Sequence, residues 1–191
     1  MGFLDVLLGK RKLAGPAPDR LFAMSTAYVT LETSLSITSR GSAAIVFQPL
    51  STADFEGIVR EMEEVVRATA SDSDTAVESN DDSYGYRWLV LRGQSFDDLV
   101  VNINAVSSAL EGGGYGERVL CAVFAFEDSH KRRLYWIYNY KRGSFYPFVP
   151  AAGEQQQRDN ERELVLKAQI GSELPVEQEL DRWFPLWGAP I

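Results

Sequence analysis

The chain has 191 residues, of which 45% are hydrophobic and 24% are charged, as is typical of one globular domain with a buried core. Its net charge of −8 disfavours nucleic-acid binding, because a protein that neutralises phosphates needs a basic surface. The single cysteine, Cys121, excludes a disulfide within the chain and suits a reducing compartment. No apolar stretch approaches the roughly 20 residues that span a bilayer, and the start lacks the order of a signal peptide. We therefore expect a cytoplasmic protein.

The amphipathic start of the chain, residues 1–12, is the first candidate contact surface. Its apolar face and the basic residues after it comprise Phe3, Leu4, Leu7, Leu8, Lys10, Arg11 and Lys12. We predict weak peripheral contact of this segment with an anionic membrane or an acidic partner. The alternative is that its leucines pack into the core of the same protein. A Gly- and Pro-rich stretch follows, so we divide the chain into an N-terminal segment with its linker, 1–18, and one domain, 19–191.

The first part of the domain is predicted as helix, strand, helix. Apolar spacing indicates a helix from Asp19 to about residue 33. The polar run TSRGS at 38–42 predicts a break before AAIVF at 43–47, which is typical of a short buried strand. Ser51 is the expected N-cap of the clearest helix, whose apolar residues recur at i, i+3, i+4 and i+7.

The middle of the chain alternates polar and apolar segments. The polar run 71–83 predicts an exposed loop, and YGYRWLVLR at 84–92 predicts a strand. Ser95 is the expected N-cap of a second strong helix, which ends at GGGYG, 112–116. Because these glycines follow a helix and precede a strand, they indicate a helix C-cap and a turn, in contrast to a phosphate-binding loop.

The last third of the chain begins with VLCAVFAF at 119–126, whose two apolar faces predict a central strand. A hairpin of strands 134–141 and 145–148 follows, then a helix at 158–170 and a Trp-rich tail that we expect to pack on the domain. The connections are too short for an all-parallel sheet. The predicted fold class is therefore α+β, a mainly antiparallel sheet with helices packed on it.

The aromatic hairpin YNYKRGSFYPF, 138–148, is the second candidate contact surface. Strand alternation predicts that most of its rings pack inside the protein, while polar groups gather at the tip. The predicted interaction surface consists of Tyr138, Asn139, Tyr140, Lys141, Arg142 and Tyr146.

A ligand pocket is the alternative interpretation of the same aromatic side chains. Its predicted aromatic lining is Tyr84, Tyr86, Trp136, Tyr138 and Tyr140, with Asp82 and Lys141 as polar groups. The pattern of histidine, cysteine and serine residues offers no good candidate for a nucleophile–base pair or a metal site. We expect no catalytic residue, no cofactor and no enzymatic activity.

Five blocks of sequence, taken together, resemble the PspA-associated protein B family. They are MGFLDVLLGK at the start, DSYGYRWLVLR at 82–92, LCAVFAF at 120–126, YNYKRGSFYPF at 138–148 and ELPVEQELDRWFPLWGAPI at 173–191. The resemblance spans essentially the whole chain, and the ordered set is more specific than any single block. Members of that family occur in actinobacteria and haloarchaea.

The resemblance implies an accessory protein of the phage-shock, or envelope-stress, system. Its expected partner is phage-shock protein A (PspA), a helical protein that polymerises on stressed membranes, or another membrane-stress protein. We therefore expect a non-enzymatic adaptor at the inner surface of the membrane. Three alternatives stay open at this point: a small-ligand binder or enzyme, a homodimeric structural module, and a regulator of a membrane zinc metalloprotease.

Overall fold

The computed structural model describes residues 18–73, 75–151, 153 and 156–191. The helices in this part of the chain are α1 (Pro18–Leu21), α2 (Ala23–Leu35), α3 (Ala53–Ser73), α4 (Phe96–Gly112) and α5 (Asn160–Ile170). The strands are β1 (Thr38–Phe47), β2 (Ala76–Asp81), β3 (Arg87–Arg92), β4 (Val119–Glu127), β5 (Arg133–Asn139) and β6 (Ser144–Phe148). Short 3₁₀ turns lie at Gly116–Arg118 and Leu180–Arg182.

The strands of the described ranges form one six-stranded sheet in the order β2-β3-β1-β4-β5-β6, and every neighbouring pair is antiparallel. The predicted α+β fold class is confirmed. The predicted central position of β4 is also confirmed, because it pairs with β1 on one side and β5 on the other. The segment 1–12 lies outside the described residues, so its predicted contacts and the division at residue 18 stay predictions.

Helices α2, α3 and α4 cover one face of the sheet, which we call the helix face. The ring of Phe96, at the start of α4, lies 5.7 Å from Phe124 and 5.4 Å from Phe126, both in β4. At the other end of the sheet, Phe55 of α3 packs edge-on against Phe47 of β1 at 6.1 Å. All these rings are 5% exposed or less. This face is thus covered by the apolar sides of regular helices.

Side-chain caps fix where the helices begin. Ser95 caps α4, as predicted, since its hydroxyl accepts a hydrogen bond from the Asp98 amide at 3.3 Å. In α5 the carboxylate of Asp159 accepts from the Arg162 amide at 2.9 Å. The predicted cap of α3 is wrong by one residue: the hydroxyl of Thr52, and not that of Ser51, accepts from the Phe55 amide at 3.4 Å.

The predicted break at 38–42 is wrong, because β1 already begins at Thr38. A bulge absorbs the polar residues: the register of β1 against β4 shifts between Ser39 and Ala43. Gly41, at the bulge, has a φ of 66° and accepts a hydrogen bond from the Gly93 amide at 2.9 Å. An added Cβ at Gly41 would lie 2.8 Å from the Gly93 carbonyl oxygen, so this close approach requires glycine.

The predicted loop at 71–83 is also wrong over most of its length. Helix α3 continues to Ser73, and β2 occupies Ala76–Asp81 as an exposed edge strand beside β3. An ion pair of 2.7 Å joins Arg87 of β3 to Asp81 of β2. A strand exposed on an edge carries the same polar composition as a loop, so composition did not separate the two.

The opposite edge strand, β6, forms one further bridge, between Phe145 and Val176. The Phe145 amide donates to the Pro175 carbonyl at 2.8 Å, and the Glu177 amide donates to the Phe145 carbonyl at 2.8 Å. Because β6 is the last strand in the sheet order, Pro147 lies in an edge strand, where its missing N–H is tolerated, as predicted. Among the described helices, none combines the length and the apolarity that crossing a membrane requires.

Candidate functional site

The second face of the sheet is covered by an irregular segment, residues 183–191, which we call the C-terminal strap. Trp183, 5% exposed, lies nearly parallel to the ring of Tyr146 at 6.3 Å. Its indole Nε1 donates to the Glu177 carbonyl at 3.2 Å. Further along, Trp187 packs edge-on against Phe148 at 4.9 Å. The predicted packing of the Trp-rich tail on the domain is confirmed.

Side-chain donors hold the strap's backbone in place at four described points, the fourth being Tyr135 Oη, which donates to the Ile191 carbonyl at 3.5 Å. Tyr146 Oη donates to the Phe184 carbonyl at 3.2 Å, and Arg92 Nη2 donates to the Pro190 carbonyl at 3.0 Å. Arg158 donates to the Trp183 carbonyl while it forms a 2.9 Å ion pair with Glu163, which is 2% exposed. Burial raises the pKa of Glu163, although the Val149 amide and Arg158 counteract that effect.

The strap does not seal this face. A cleft of about 470 Å³, which we call the aromatic cleft, lies between the sheet, the strap and the β2–β3 turn at 82–86. Its floor includes one row of directly paired residues across four strands, namely Trp88, Val46, Cys121 and Asn139. The walls include Asp82, Tyr84, Tyr86, Lys141, Tyr146 and the strap residues Phe184, Pro185, Leu186 and Trp187.

Asp82 organises the turn that forms one wall. Its Oδ1 accepts from the amides of Tyr84 at 2.8 Å and Tyr86 at 2.9 Å, and its Oδ2 accepts from Trp88 Nε1 at 2.9 Å. Burial alone would raise the pKa of Asp82. The bonds from the Trp88 indole and the turn amides outweigh it and hold the pKa below its usual value. The carboxylate is thus ionised and engaged in shaping the turn.

Two exposed aromatic side chains stand at the rim of the cleft. Tyr84, at the tip of the turn, is 82% exposed, and Phe184, on the strap, is 58% exposed. The neighbours of Phe184 in sequence and space are ordered: Trp183 is buried, and Tyr146 holds the Phe184 carbonyl. Phe184 therefore projects from a fixed backbone into solvent.

The polar side chains that line the cleft differ in how far they are engaged. Asn139 Oδ1 accepts from the Lys141 amide at 3.1 Å, which shapes the β5–β6 turn. Lys141 is exposed, and the described residues place no carboxylate within ion-pair distance of its ammonium group. On the floor, burial raises the pKa of the Cys121 thiol to about 12, so the sulfur is a neutral packing group.

Comparison with known protein families matches the whole chain, residues 1–191, to the family described as PspA associated protein B. The chain belongs to that family. The resemblance identified in the sequence is therefore confirmed, and the family links the chain to the PspA system. Neither the search of curated proteins nor the search of solved structures finds a match.

In this member of the PspA-associated family, the predicted interaction surface at 138–148 needs a correction. Tyr138 is fully buried, Tyr140 is 5% exposed and Tyr146 is 3% exposed, so their side chains are not at an accessible tip. Tyr138 and Tyr140 pack against each other at 5.0 Å on the helix face. What the solvent reaches is Lys141, with Asn139 and Arg142 half-buried. The interaction itself stays a prediction, now confined to these three residues.

The predicted pocket is right in part. Asp82, Tyr84, Tyr86 and Lys141 do line one cleft. Trp136 and Tyr138 do not, because they lie opposite Phe124 and Ala122 on the helix face. Tyr140 packs beside Tyr138 on that same side. The error combined residues from both faces of the sheet, although the alternation of β5 predicts which residues share a face.

Of the floor row, the sequence predicts only Asn139 as a site residue; it does not point to Val46, Trp88, Cys121 or the strap. Cys121 and Trp88 lie in predicted strands, and the tail is predicted to pack on the domain. The available signal was period-two alternation: Tyr135, Ile137 and Asn139 form the face of β5 opposite Trp136. The strap is irregular, so its position over that face has no periodic signal.

Proposed function

We propose that this protein is a non-enzymatic adaptor of the PspA system and that it binds PspA through the aromatic cleft. The observation that carries the proposal is the pair of exposed rings that line the aromatic cleft, Tyr84 on the β2–β3 turn and Phe184 on the strap. Large aromatic side chains at the edge of a desolvated pocket are the residues that dominate binding energy in protein interfaces.

The form of the cleft suits an apolar side chain of a partner helix. The rings of Tyr84 and Phe184 would contact such a side chain from two sides, and the apolar floor at Trp88 would receive its end. Lys141, free of ion pairs with the described carboxylates, would then face an acidic residue of the partner. The family description names PspA as the associated protein, and we expect PspA to be helical. PspA is therefore the partner that this arrangement favours.

The states of the reactive side chains in and near the cleft support a role in binding and not in catalysis. The Cys121 thiol is buried, with a pKa raised to about 12, and the Asp82 carboxylate has its oxygens occupied by Tyr84, Tyr86 and Trp88. The only histidine, His130, lies in an exposed turn outside the lining of the cleft. These groups hold the fold and leave the rim aromatics free for contact.

The proposal places the protein in the cytoplasm, with peripheral contact at the inner face of the membrane. PspA, as expected from the family resemblance, acts there, and the basic amphipathic segment 1–12 has the composition for weak attachment to anionic lipid. The acidic remainder of the chain would be repelled by the same lipid, so charge alone would orient the molecule.

The test is the affinity of purified PspA for the full chain by titration calorimetry. We expect Tyr84→Ala together with Phe184→Ala to weaken binding at least tenfold, the size of effect that hot-spot residues produce. The matched control is Val29→Ala, an equally exposed apolar residue on α2 (58%), which should leave affinity unchanged. The proposal is contradicted if the Val29 variant loses as much affinity for PspA as the Tyr84 and Phe184 double variant. It is also contradicted if the double variant binds PspA as tightly as the native chain.

A small apolar ligand is the second candidate occupant, because 470 Å³ lies within the size range of ligand pockets. In that case a metabolite would raise the melting temperature of the chain and would compete with PspA for the cleft. A library screen by thermal shift, followed by competition against PspA, distinguishes the two. Stabilisation that Trp88→Ala abolishes would favour the ligand.

A further inference from the structure

A second cavity of about 550 Å³ lies on the other side of the C-terminal strap. It is formed by the start of β5, the end of β6, the start of α5 and the strap, and the two cavities share Leu186 and Trp187. We call it the arginine pocket, since its lining includes Arg132, Arg133 and Arg162. A concentration of cations is unusual on a chain with a net charge of −8.

One of the three arginines is already neutralised. Arg132 donates from Nε to Asp128 Oδ2 at 2.8 Å, and its Nη2 lies 2.7 Å from the same oxygen. The other oxygen of Asp128 accepts from the His130 and Arg132 amides. Burial would raise the pKa of Asp128, but these bonds hold it below its usual value, so the pair is ionised and the charge of Arg132 is already matched by a carboxylate.

The other two arginines have no carboxylate partner among the described residues. Arg133 is exposed at the mouth of the pocket. Arg162 is half-buried, and its Nε is shielded from solvent without any hydrogen-bond acceptor in the described ranges. Asp159, the one other described carboxylate in the lining, accepts from the Arg162 backbone amide as the cap of α5. A buried donor of a charged group without an acceptor is costly, so an acceptor on a ligand would be favourable.

The remaining wall of the pocket is aromatic. Tyr135 and Phe148 lie nearly parallel at 5.8 Å, and Trp187 packs edge-on against Phe148 at 4.9 Å. Phe148 is only 1% exposed and Arg158 covers its ring at 5.4 Å, so the apolar surface open to a ligand is that of Leu186 and Trp187 on the strap. The pocket thus combines apolar strap side chains with two guanidinium groups, Arg133 and Arg162, that have no carboxylate partner among the described residues. Guanidinium groups bind carboxylates and phosphates in preference to neutral groups, because their N–H donors match two oxygens.

We propose that the arginine pocket binds a small amphiphilic anion, an oxyanion head joined to an apolar group. The head is held by Arg162 and Arg133, and the apolar group lies against Leu186 and Trp187. This inference does not depend on PspA binding, because the aromatic cleft and the arginine pocket lie on opposite sides of the strap and share only its residues Leu186 and Trp187.

The experiment is calorimetric titration of the full chain with octyl phosphate below its micelle concentration. Inorganic phosphate and 1-octanol supply the head and the apolar group separately. We expect octyl phosphate to bind at least tenfold more tightly than either. The proposal is overturned if 1-octanol binds with the same affinity as octyl phosphate. It is also overturned if octyl phosphate at millimolar concentration gives no heat of binding.

Variants locate the site. Arg162→Gln should weaken octyl phosphate binding about tenfold or more, the effect of losing one charge-assisted contact. Arg133→Gln, at an exposed position that tolerates substitution, should weaken it in the same direction even if Arg162→Gln alters folding. Arg60→Gln, an exposed arginine on α3 outside the pocket, is the matched control and should change nothing. Equal binding by the Arg133 and Arg60 variants overturns the proposal.

A vesicle assay separates the two sources of such an anion. Flotation with phosphatidylglycerol vesicles is compared between the full chain and its Arg162→Gln variant, both carrying Lys10→Gln, Arg11→Gln and Lys12→Gln so that the predicted lipid contact of segment 1–12 does not mask the difference. A loss of retention in the variant identifies a lipid headgroup as the anion. Equal retention, combined with Arg162-dependent binding of octyl phosphate, identifies a soluble amphiphile.

Discussion

The two faces of the sheet are covered by different means. On the helix face, the apolar sides of α2, α3 and α4 meet a continuous layer of buried rings, among them Phe96, Phe124 and Phe126. On the other face, an irregular strap is fixed at Trp183 and Trp187 and leaves a cavity on each side. A helix covers a surface evenly, whereas a single extended strand of chain covers only a stripe. The aromatic cleft and the arginine pocket, the described cavities lined by both aromatic and charged side chains, therefore border the strap.

The largest expected effect belongs to the helix face. Trp136 is fully buried there, opposite Phe124. Trp136→Ala should lower the free energy of unfolding by about 3–5 kcal/mol, because it removes a large side chain from a packed layer. Urea denaturation followed by circular dichroism measures this change. A loss below about 1 kcal/mol would mean that the layer is not tightly packed.

The second largest effect is expected at the ion pair of Arg158 and Glu163, which anchors the strap. Glu163→Ala removes the partner of Arg158, which also holds the Trp183 carbonyl, and leaves a charge poorly compensated. We expect a loss of about 3 kcal/mol and greater solvent exposure of the strap tryptophans. Denaturation together with acrylamide quenching of tryptophan fluorescence reports both. Glu161→Ala, at an exposed position in the same first turn of α5, is the control and should have little effect.

The turn that builds the aromatic cleft should depend on pH. The pKa of Asp82 is lower in the folded protein than its ordinary value of 3.8, so its contribution to stability is present above that value and is lost as pH falls further. Asp82→Asn should cost about 1 kcal/mol at pH 7 and make the acid side of the stability profile less steep. Denaturation midpoints between pH 7 and pH 2 test this. A parallel profile in both proteins would show that Asp82 is not responsible.

The smallest expected effect lies at the rim. Phe184 is 58% exposed, so Phe184→Ala should change the free energy of unfolding by less than about 0.5 kcal/mol. The same variant should nonetheless weaken PspA binding, since its ring is proposed to contact the partner. Denaturation and calorimetry on one preparation measure the two effects. A large loss of stability would indicate that the ring packs inside the protein.

The same contrast explains how far the sequence could be interpreted. The helix face follows from periodicity: the apolar spacing predicted α3 and α4, and the two apolar faces of β4 predicted its central place. The bulge at Gly41 and the edge strand β2 were missed, because their polar residues give the signal of a loop. Tertiary pairing, and not local composition, made them strands.

The candidate site was predicted only as far as local pattern reaches. Asp82, Tyr84 and Tyr86 belong to one turn, and Lys141 to another, so the pattern could place each at a strand end. Their meeting depends on the strand order β3-β1-β4-β5, which joins residues distant in sequence. Phe184 and the arginine pocket depend in addition on the path of the strap, which no periodic pattern encodes.

The central claim, that partner recognition belongs to the strap-covered face, is tested most directly by hydrogen exchange of the full chain with and without PspA. We predict that PspA slows exchange at the turn 82–86 and in the strap at 183–187, with little change along the exposed sides of α3 and α4. Protection confined to α3 and α4, with the turn and the strap exchanging as in the free protein, would contradict it.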